Sequence, residues 1–216
     1  MSKPRIICFD IDGTLTEGNS WLLLTQCLGC SIPKHTQLYE DTISGKVTFG
    51  AGERELVGMW RNSGQANKDR VTQIYESAKI RPGVRKLFDF LRDKGFLIYL
   101  VSGSSKLFTE SIAKRLQPTG FYADAEIVFD SDGIISQIEQ GITEQGQIKV
   151  KQVAEIAKQN DVAIEDIYFV GDSENDIDVF LATGKGLSVH SSNDYLKEMA
   201  YKDFESLDEI EKLFAN

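Results

Sequence analysis

Short, continuous apolar runs alternate with apolar stripes of helical spacing along most of the 216-residue chain. The runs are nearly unbroken and lie at residues 5–9, 96–101, 167–170 and 186–189. Runs of this kind are typical of parallel strands that are buried on both faces. We therefore predict a strand at each of the four positions.

Helical stripes separate these runs. After the breaker pair Pro82-Gly83, apolar residues recur at i, i+3, i+4 and i+7 from Val84 to Leu91. Similar stripes follow at residues 108–116, 150–157 and 207–214. Regular alternation of strands and helices favours an α/β fold, in which helices cover both faces of a mainly parallel sheet.

Two segments interrupt the alternation. Residues 16–77 contain no strand pattern and have helical apolar spacing; at 62 residues they are far longer than the roughly two to six residues of a βα loop. We interpret them as an inserted helical cap, so that residues 1–15 and 78–216 form the core. In the second segment, Asp132-Gly133 lies between two apolar runs and predicts a β-hairpin.

Composition narrows the class of function. The chain has 24 basic and 33 acidic residues, a net charge of −9, and no basic face is evident that would bind nucleic acid. No apolar run approaches the roughly 20 residues of a membrane span, and the N-terminus does not have the pattern of a signal peptide. With only three cysteines, an odd number, we expect a cytoplasmic protein whose partner is a small molecule rather than a nucleic acid or a membrane. The sequence leaves its oligomeric state open.

Small, polar and acidic residues follow three of the predicted strands. The segments are Asp-Ile-Asp-Gly-Thr at 10–14, Ser-Gly-Ser-Ser at 102–105 and Gly-Asp-Ser-Glu-Asn-Asp at 171–176, and Lys149 and Lys151 lie near the start of the helix before the third strand. Ligands of open α/β sheets bind beyond the carboxyl ends of the strands. These segments are therefore expected to form one site.

The charges in these segments suggest a metal. Four carboxylates in one crevice (Asp10, Asp12, Asp172 and Asp176) repel one another by about 4 kcal/mol per pair at 4 Å and an effective dielectric of about 20. Mg²⁺ would relieve that repulsion, and it favours carboxylates, water and phosphate oxygens. We further expect Ser102 and the N–H groups after it to open a helix and to bind an anion there. Each motif alone fits an ordinary turn or helix cap, whereas together they indicate phosphoryl chemistry.

These segments, in this order, resemble the four motifs of the haloacid dehalogenase-like superfamily. The resemblance covers nearly the whole chain. The position of the insertion, the Val-Ser-Gly of the second motif and the run Gly-Lys-Val-Thr-Phe at 45–49 make the chain most similar to the phosphoserine phosphatase-like branch. The resemblance implies a Mg²⁺-dependent phosphatase with a Rossmann-like core and a helical cap.

The resemblance also implies residue roles. Asp10 corresponds to the nucleophile that becomes an aspartyl phosphate, and Asp12 to the general acid and base. Ser102 and Lys149 correspond to the phosphate-binding pair, which Gly103 and Asn175 are expected to assist. The implied Mg²⁺ ligands are Asp10, the backbone carbonyl of Asp12 and Asp172, supported by Asp176.

One departure from the branch concerns the substrate. Phosphoserine phosphatases bind the amino-acid end of their substrate through a cap glutamate and a cap arginine. The corresponding positions here are Asn19 and Leu56, which carry no charge. The nearby charged residues are Glu17, Arg54 and Arg61. They could take the place of the missing pair if the cap helices are rotated. We therefore expect phosphoserine to be a poor substrate, with a true phosphoserine phosphatase as the alternative.

Two other classes of function share part of this pattern. A phospho-accepting signalling domain also has acidic residues and a lysine at its strand ends, but it needs an open site, which a 62-residue cap argues against. Hydrolytic dehalogenation uses the first aspartate but no metal, and it would leave Asp12 and the 171–176 segment without a role.

A few residues outside the motifs have structural interpretations. Cys27 and Cys30 are predicted to be buried cap thiols, since no second pair completes a zinc site. His35 and His190 are isolated and predicted to lie on the surface or in loops. Trp21 belongs to an apolar run that we assign to the cap core, although it could face the substrate.

Overall fold

The computed structural model describes residues 3–140 and 145–215, and its centre is a seven-stranded sheet. The strands are β1 (Arg5–Phe9), β2 (Phe96–Ser105), β3 (Gly120–Phe129), β4 (Ile135–Gln140), β5 (Ile167–Gly171), β6 (Gly186–Val189) and β7 (Lys202–Phe204). Their order in the sheet is β4-β3-β2-β1-β5-β6-β7, and only the β3–β4 pair is antiparallel. The predicted α/β class is confirmed.

The helices of the described residues fall into two groups along the chain. The first four lie between β1 and the helix before β2: α1 (Ser20–Cys27), α2 (Ile32–Ile43), α3 (Phe49–Asn62) and α4 (Lys68–Glu76). We call them the cap helices. The others are α5 (Val84–Asp93), α6 (Lys106–Leu116), α7 (Gln145–Gln159), α8 (Ile177–Thr183), α9 (Asp194–Met199) and α10 (Ile210–Phe214).

Apolar residues fill both sides of the sheet because successive side chains of a strand point to opposite faces. In β1, Ile7 and Phe9 join a buried cluster that includes residues of α5 and α6. Ile6 and Cys8 join a second cluster that includes residues of α7 and α8. The central strand is therefore covered on both faces, and its polar carboxyl end leads directly into the candidate site.

Strand β2 is longer than predicted. It continues through residues 102–105, and its register against β3 shifts between Ser102 and Ser105. The next helix begins at Lys106, and Ser105 caps it by accepting a hydrogen bond from the backbone N–H of Phe108 at 3.3 Å. The expectation that Ser102 and its neighbours open a helix was therefore wrong, because the strand runs past them. The predicted hairpin is present as β3 and β4, with Gly133 in the left-handed region at φ +75°.

The cap helices lie within the predicted range 16–77 and pack against the β3–β4 hairpin. Arg61 of α3 donates to Oδ2 of Asp130 at 2.9 Å and to the backbone carbonyl of Ile135 at 2.6 Å. Asn67 and Ile134 form an isolated antiparallel bridge. The division into core and cap domains at the stated boundaries stays a prediction. Across the described ranges, no helix combines the length and apolar character needed to cross a bilayer.

A buried polar chain holds the cap helices together. The indole N–H of Trp60 donates to Oγ1 of Thr25 at 2.8 Å, and that hydroxyl shares a 2.7 Å hydrogen bond with Nδ1 of His35. His35 is buried, so its predicted surface position was wrong, whereas His190 is exposed. Cys27 and Cys30 are half-buried rather than buried and form no disulfide.

Candidate active site

The three strand-end segments and Lys149 meet in a cleft of about 310 Å³, which we call the reaction cleft. Most of the residues predicted to form the site line it: Asp10, Asp12, Ser102, Gly103, Lys149, Asp172 and Asn175. Asn19 and Trp21, at the start of the first cap helix, also line it. Asp176 lies directly behind Lys149 and is fully buried.

Lys149 is the electrostatic centre of the site. Its Nζ lies 2.9 Å from Oδ1 of Asp10 and 2.6 Å from Oδ1 of Asp176, and all three side chains are at most 5% exposed. Although burial lowers the pKa of Lys149, the charges of the two carboxylates raise it above its ordinary value. Burial and the charges of Asp176 and Asp172 raise the pKa of Asp10 well above its ordinary value, against the opposing charge of Lys149. The lysine is therefore a permanent cation whose charge offsets part of the acidic cluster.

Asp176 organises the loop after β5. Its Oδ2 accepts hydrogen bonds from the backbone N–H groups of Asp172 and Ser173, both at 3.1 Å. Both oxygens of Asp176 are therefore in use, one with the loop and one with Lys149. This bonding fits a residue that positions Asp172 and the lysine.

Asp172 is held from the other side by the loop after β1. The hydroxyl of Thr14 donates to its Oδ1 at 2.7 Å. Gly13 has φ +79°, and a Cβ at that position would lie 2.3 Å from Oδ2 of Asp172, so only glycine permits this approach. Arg81 fixes the same loop by donating two hydrogen bonds, at 2.9 and 3.1 Å, to the carbonyl of Gly13.

The acidic cluster fits a divalent cation. One carboxylate oxygen from each of Asp10, Asp172 and Asp176 lies within 4.8 Å of the others. The contacts with Lys149 and Thr14 use Oδ1 of Asp10 and Oδ1 of Asp172. Within the described residues, Oδ2 of each aspartate is left to coordinate a cation. Burial raises the pKa of Asp172 to about 6, and the hydrogen bond from Thr14 opposes that rise. Oxygen-only donors with excess negative charge are what Mg²⁺ requires.

Asp12 is hydrogen-bonded to the first cap helix, α1, rather than to Lys149. Ser20, the first residue of α1, donates to it twice, from its backbone N–H to Oδ1 at 2.9 Å and from its hydroxyl to Oδ2 at 2.6 Å. The Ser20 hydroxyl also lies 2.6 Å from the hydroxyl of Ser104, and Ser104 is the donor of this pair when Asp12 is ionised and accepts the Ser20 proton. Burial raises the pKa of Asp12 to about 6, and the Ser20 hydrogen bonds oppose that rise.

Ser102 also lines the reaction cleft and is 1% exposed. Its hydroxyl oxygen accepts a hydrogen bond from the backbone N–H of Ser104 at 3.1 Å, so its own proton is available to a ligand. Gly103 and Asn175 line the cleft as well. Together with Lys149, these residues offer hydrogen-bond donors to an anion.

The remaining charged candidates lie elsewhere. Lys151 is exposed and lines a different surface cavity with Asp178. Arg61 is engaged by the β3–β4 hairpin, and Glu17 and Arg54 are exposed. None of these residues lines the reaction cleft.

Asn19 and Leu56, the two uncharged cap positions noted in the sequence, lie in different surroundings. Oδ1 of Asn19 caps α1 by accepting from the backbone N–H groups of Trp21 and Leu22. Leu56 lines a separate cavity among the cap helices.

The sequence analysis did not predict the roles of two residues of the site, Ser20 and Thr14. The contact of Ser20 with Asp12 has no local signal, because it depends on how α1 returns to the core. Thr14 belonged to a recognised motif, but its hydrogen bond to Asp172 spans 158 residues of sequence.

Comparison with known proteins agrees with this site. The model of a family described as haloacid dehalogenase-like hydrolase matches residues 4–184. The chain is 25% identical over 198 residues to phosphoserine phosphatase of Archaeoglobus fulgidus, covering 92% of this chain and 56% of that protein. It is 29% identical over 187 residues to phosphoserine phosphatase SerB2 of Mycobacterium tuberculosis, covering 87% of this chain and 44% of that protein. This chain thus spans about half the length of those two relatives.

A solved structure shares the fold over almost the full length. It is described as a phospho-aspartyl intermediate analogue of phosphoserine phosphatase, and it superposes with a TM-score of 0.80 at 22% identity, covering 98% of this chain and 99% of that one. The match of the family model to most of the chain shows the family, and it agrees with the motifs at the strand ends. The chain belongs to the haloacid dehalogenase-like hydrolases.

Proposed function

We propose that the protein is a Mg²⁺-dependent phosphomonoesterase that acts on a small phosphorylated metabolite through an aspartyl phosphate on Asp10. One observation supports this most directly. A buried lysine bridges Asp10 and Asp176 beside Asp172, while Asp12 and Ser102 line the same cleft.

The phosphoryl group would be held by donors of this chain. Lys149 supplies a buried cation and Ser102 a free hydroxyl proton. Gly103 and Asn175 line the same cleft and would add their N–H groups. A phosphoryl dianion seated there would also give Lys149 a further anionic partner.

Two aspartates divide the reaction. A carboxylate oxygen of Asp10 attacks phosphorus, and the bond from phosphorus to the ester oxygen breaks. Asp12 gives its proton to the departing alkoxide, which leaves as the alcohol. Asp12 then takes a proton from water as that water attacks the acyl phosphate, which releases inorganic phosphate and restores Asp10.

The metal would be held by the carboxylates of Asp10 and Asp172 together with the backbone carbonyl of Asp12, with Asp176 in support through its loop contacts. When bound, Mg²⁺ neutralises charge between the carboxylates and the phosphoryl oxygens.

Phosphate release from p-nitrophenyl phosphate tests the proposal. We expect turnover with Mg²⁺, loss of turnover after chelation by EDTA, and recovery when Mg²⁺ is restored. Phosphorylation of Asp10 by a small phosphodonor without turnover would instead identify a signalling domain, and turnover unaffected by EDTA would contradict the role of the metal.

Phosphoserine phosphatase activity is the second candidate, because the relatives above carry that name. A panel of amino-acid, sugar and nucleotide monophosphates separates the two candidates. A clear preference for phosphoserine over the rest of the panel would establish the second.

A further inference from the structure

The cap helices enclose a second cavity, of about 110 Å³, between α1, α2, α3 and the end of β4. We call it the cap cavity. Trp21 lines both the cap cavity and the reaction cleft, so the two spaces share a wall. A benzene molecule fits a cavity of about 150 Å³, so a group of about four to six non-hydrogen atoms fits here.

The walls of the cap cavity are mainly aromatic and apolar. Trp21, Tyr39 and Phe49 supply aromatic rings, and Leu38 and Leu56 supply apolar surface. Trp21 is also stacked on Trp60, with ring centroids 6.1 Å apart and 10° between planes, which holds its face in position. Aromatic walls of this kind attract cations through the negative faces of their rings.

Glu53 is the acidic residue of this cavity. Its Oε1 is buried and has no hydrogen-bond partner within the described ranges. Burial raises the pKa of the Glu53 carboxyl, and the charge of Arg54 opposes that rise. His35 also lines the cavity, but burial lowers its pKa, and its Nδ1 is already bonded to Thr25. A buried carboxylate oxygen without a partner beside aromatic rings is best satisfied by a cationic hydrogen-bond donor.

The charge of the cavity lining is negative. Glu53 lies three residues before Leu56 on α3, and both side chains line the cavity. Among the described residues, no lysine or arginine lines it. The cavity therefore offers an anion to a ligand and no fixed cation.

We propose that the cap cavity binds an ammonium group at the far end of the substrate, with Glu53 as its partner. The substrate class is then a phosphomonoester of a short amino alcohol without a carboxylate. The inference rests on the proposed phosphatase function, since it places the phosphoryl group in the reaction cleft and the ammonium group beyond Trp21.

Substrate pairs that differ only in charge provide the test. O-phosphoethanolamine is matched by propyl phosphate, and phosphocholine by 3,3-dimethylbutyl phosphate. We expect kcat/KM to favour the cationic member of at least one pair by about tenfold or more. In Glu53→Gln that ratio is expected to fall to within about threefold of one. The matched control is Glu55→Gln, which removes an exposed charge on the same helix and should keep the wild-type ratio.

A binding measurement separates this inference from the proposed function. Trp21 and Trp60 are the only two tryptophans of the chain, so intrinsic fluorescence reports on binding beside Trp21 without turnover, and the Glu53 variant assigns a response to the cap cavity rather than to the reaction cleft. Choline should change the emission in a saturable way that Glu53→Gln weakens and Glu55→Gln preserves, whereas 3,3-dimethylbutan-1-ol should have little effect.

The outcomes are distinct. An enzyme that hydrolyses p-nitrophenyl phosphate but shows no charge preference in either pair overturns the inference and leaves the function intact. If no phosphomonoester is hydrolysed, the proposed function fails, and the fluorescence titration alone decides the cap cavity. Equal responses to choline and its neutral analogue would then overturn it.

Discussion

The reaction cleft and the cap cavity share Trp21 but satisfy their charges in opposite ways. In the cleft, the buried Lys149 of α7 and Asp176 of the loop after β5 make close contacts with each other and with other described residues. In the cap cavity, a buried oxygen of Glu53 has no partner among the described residues. The charged groups of the cleft therefore satisfy one another, whereas Glu53 requires a ligand. In the function that we propose, the core specifies the reaction and the cap helices specify the molecule that undergoes it.

If this division is correct, removal of the nucleophile should abolish turnover of every substrate alike. We expect Asp10→Asn to fold and to retain no more than about 1% of the wild-type rate, because an amide is not a competent nucleophile. Asp12→Asn should lose about 10²- to 10⁴-fold through the loss of proton transfer. Rates with p-nitrophenyl phosphate and with the monophosphate panel provide the measurement. Retention of more than a few percent by Asp10→Asn would refute the mechanism.

The two lysines of α7 test the electrostatic part of the cleft. Lys149→Ala leaves Asp10 and Asp176 without their cation and removes a phosphate ligand. Loss of a partner from a desolvated charge pair costs about 2–5 kcal/mol, so kcat/KM should fall by about 30-fold to several-thousand-fold. The exposed Lys151→Ala should stay within about twofold of wild type. The reverse ranking would move the phosphate-binding role to Lys151.

The cap side of the comparison is tested by phosphoserine itself. Because Asn19 and Leu56 cannot supply the charges that pair with the amino-acid end of the substrate, phosphoserine should have a kcat/KM at least about 30-fold below that of the best panel member. A value near 10⁵ M⁻¹s⁻¹ or above for phosphoserine, well above the rest of the panel, would show that another cap residue binds the amino-acid end.

A smaller effect is expected inside the cap. Thr25→Val leaves the indole N–H of Trp60 and Nδ1 of His35 without their shared partner. The free energy of unfolding should fall by about 1–3 kcal/mol, as measured by urea denaturation. Thr72→Val removes an exposed hydrogen bond to the carbonyl of Lys68 and should change it by less than about 0.5 kcal/mol. A stability unchanged by Thr25→Val would mean that the polar chain does not hold the cap helices together.

The fold was predictable where apolar runs are continuous. Strands β1 and β6 begin and end at the predicted residues because each run is largely buried and bounded by proline or polar residues. Strand β7 was missed because Lys-Asp-Phe carries no apolar run. The length of β2 was underestimated because serine and glycine at 102–105 favour a turn locally, whereas pairing with β3 keeps them extended.

The residues of the site likewise divide into those that local sequence patterns predict and those that only tertiary packing brings together. Parallel strands end at one edge of the sheet, so their polar segments could be brought together by topology alone. The contacts of His35 and Ser20 could not be predicted from the sequence. An isolated polar residue in a helix shows no periodicity that separates a buried position from an exposed one. Both depend on the packing of the cap helices.

The contact between Ser20 and Asp12 also has a kinetic consequence. Ser20 begins α1, so a movement of that helix away from the sheet would take two hydrogen bonds from the carboxyl to which we assign proton transfer. The same movement would open the reaction cleft at Asn19 and Trp21. In the proposed mechanism, substrate entry and proton transfer therefore belong to different positions of one helix and occur in sequence.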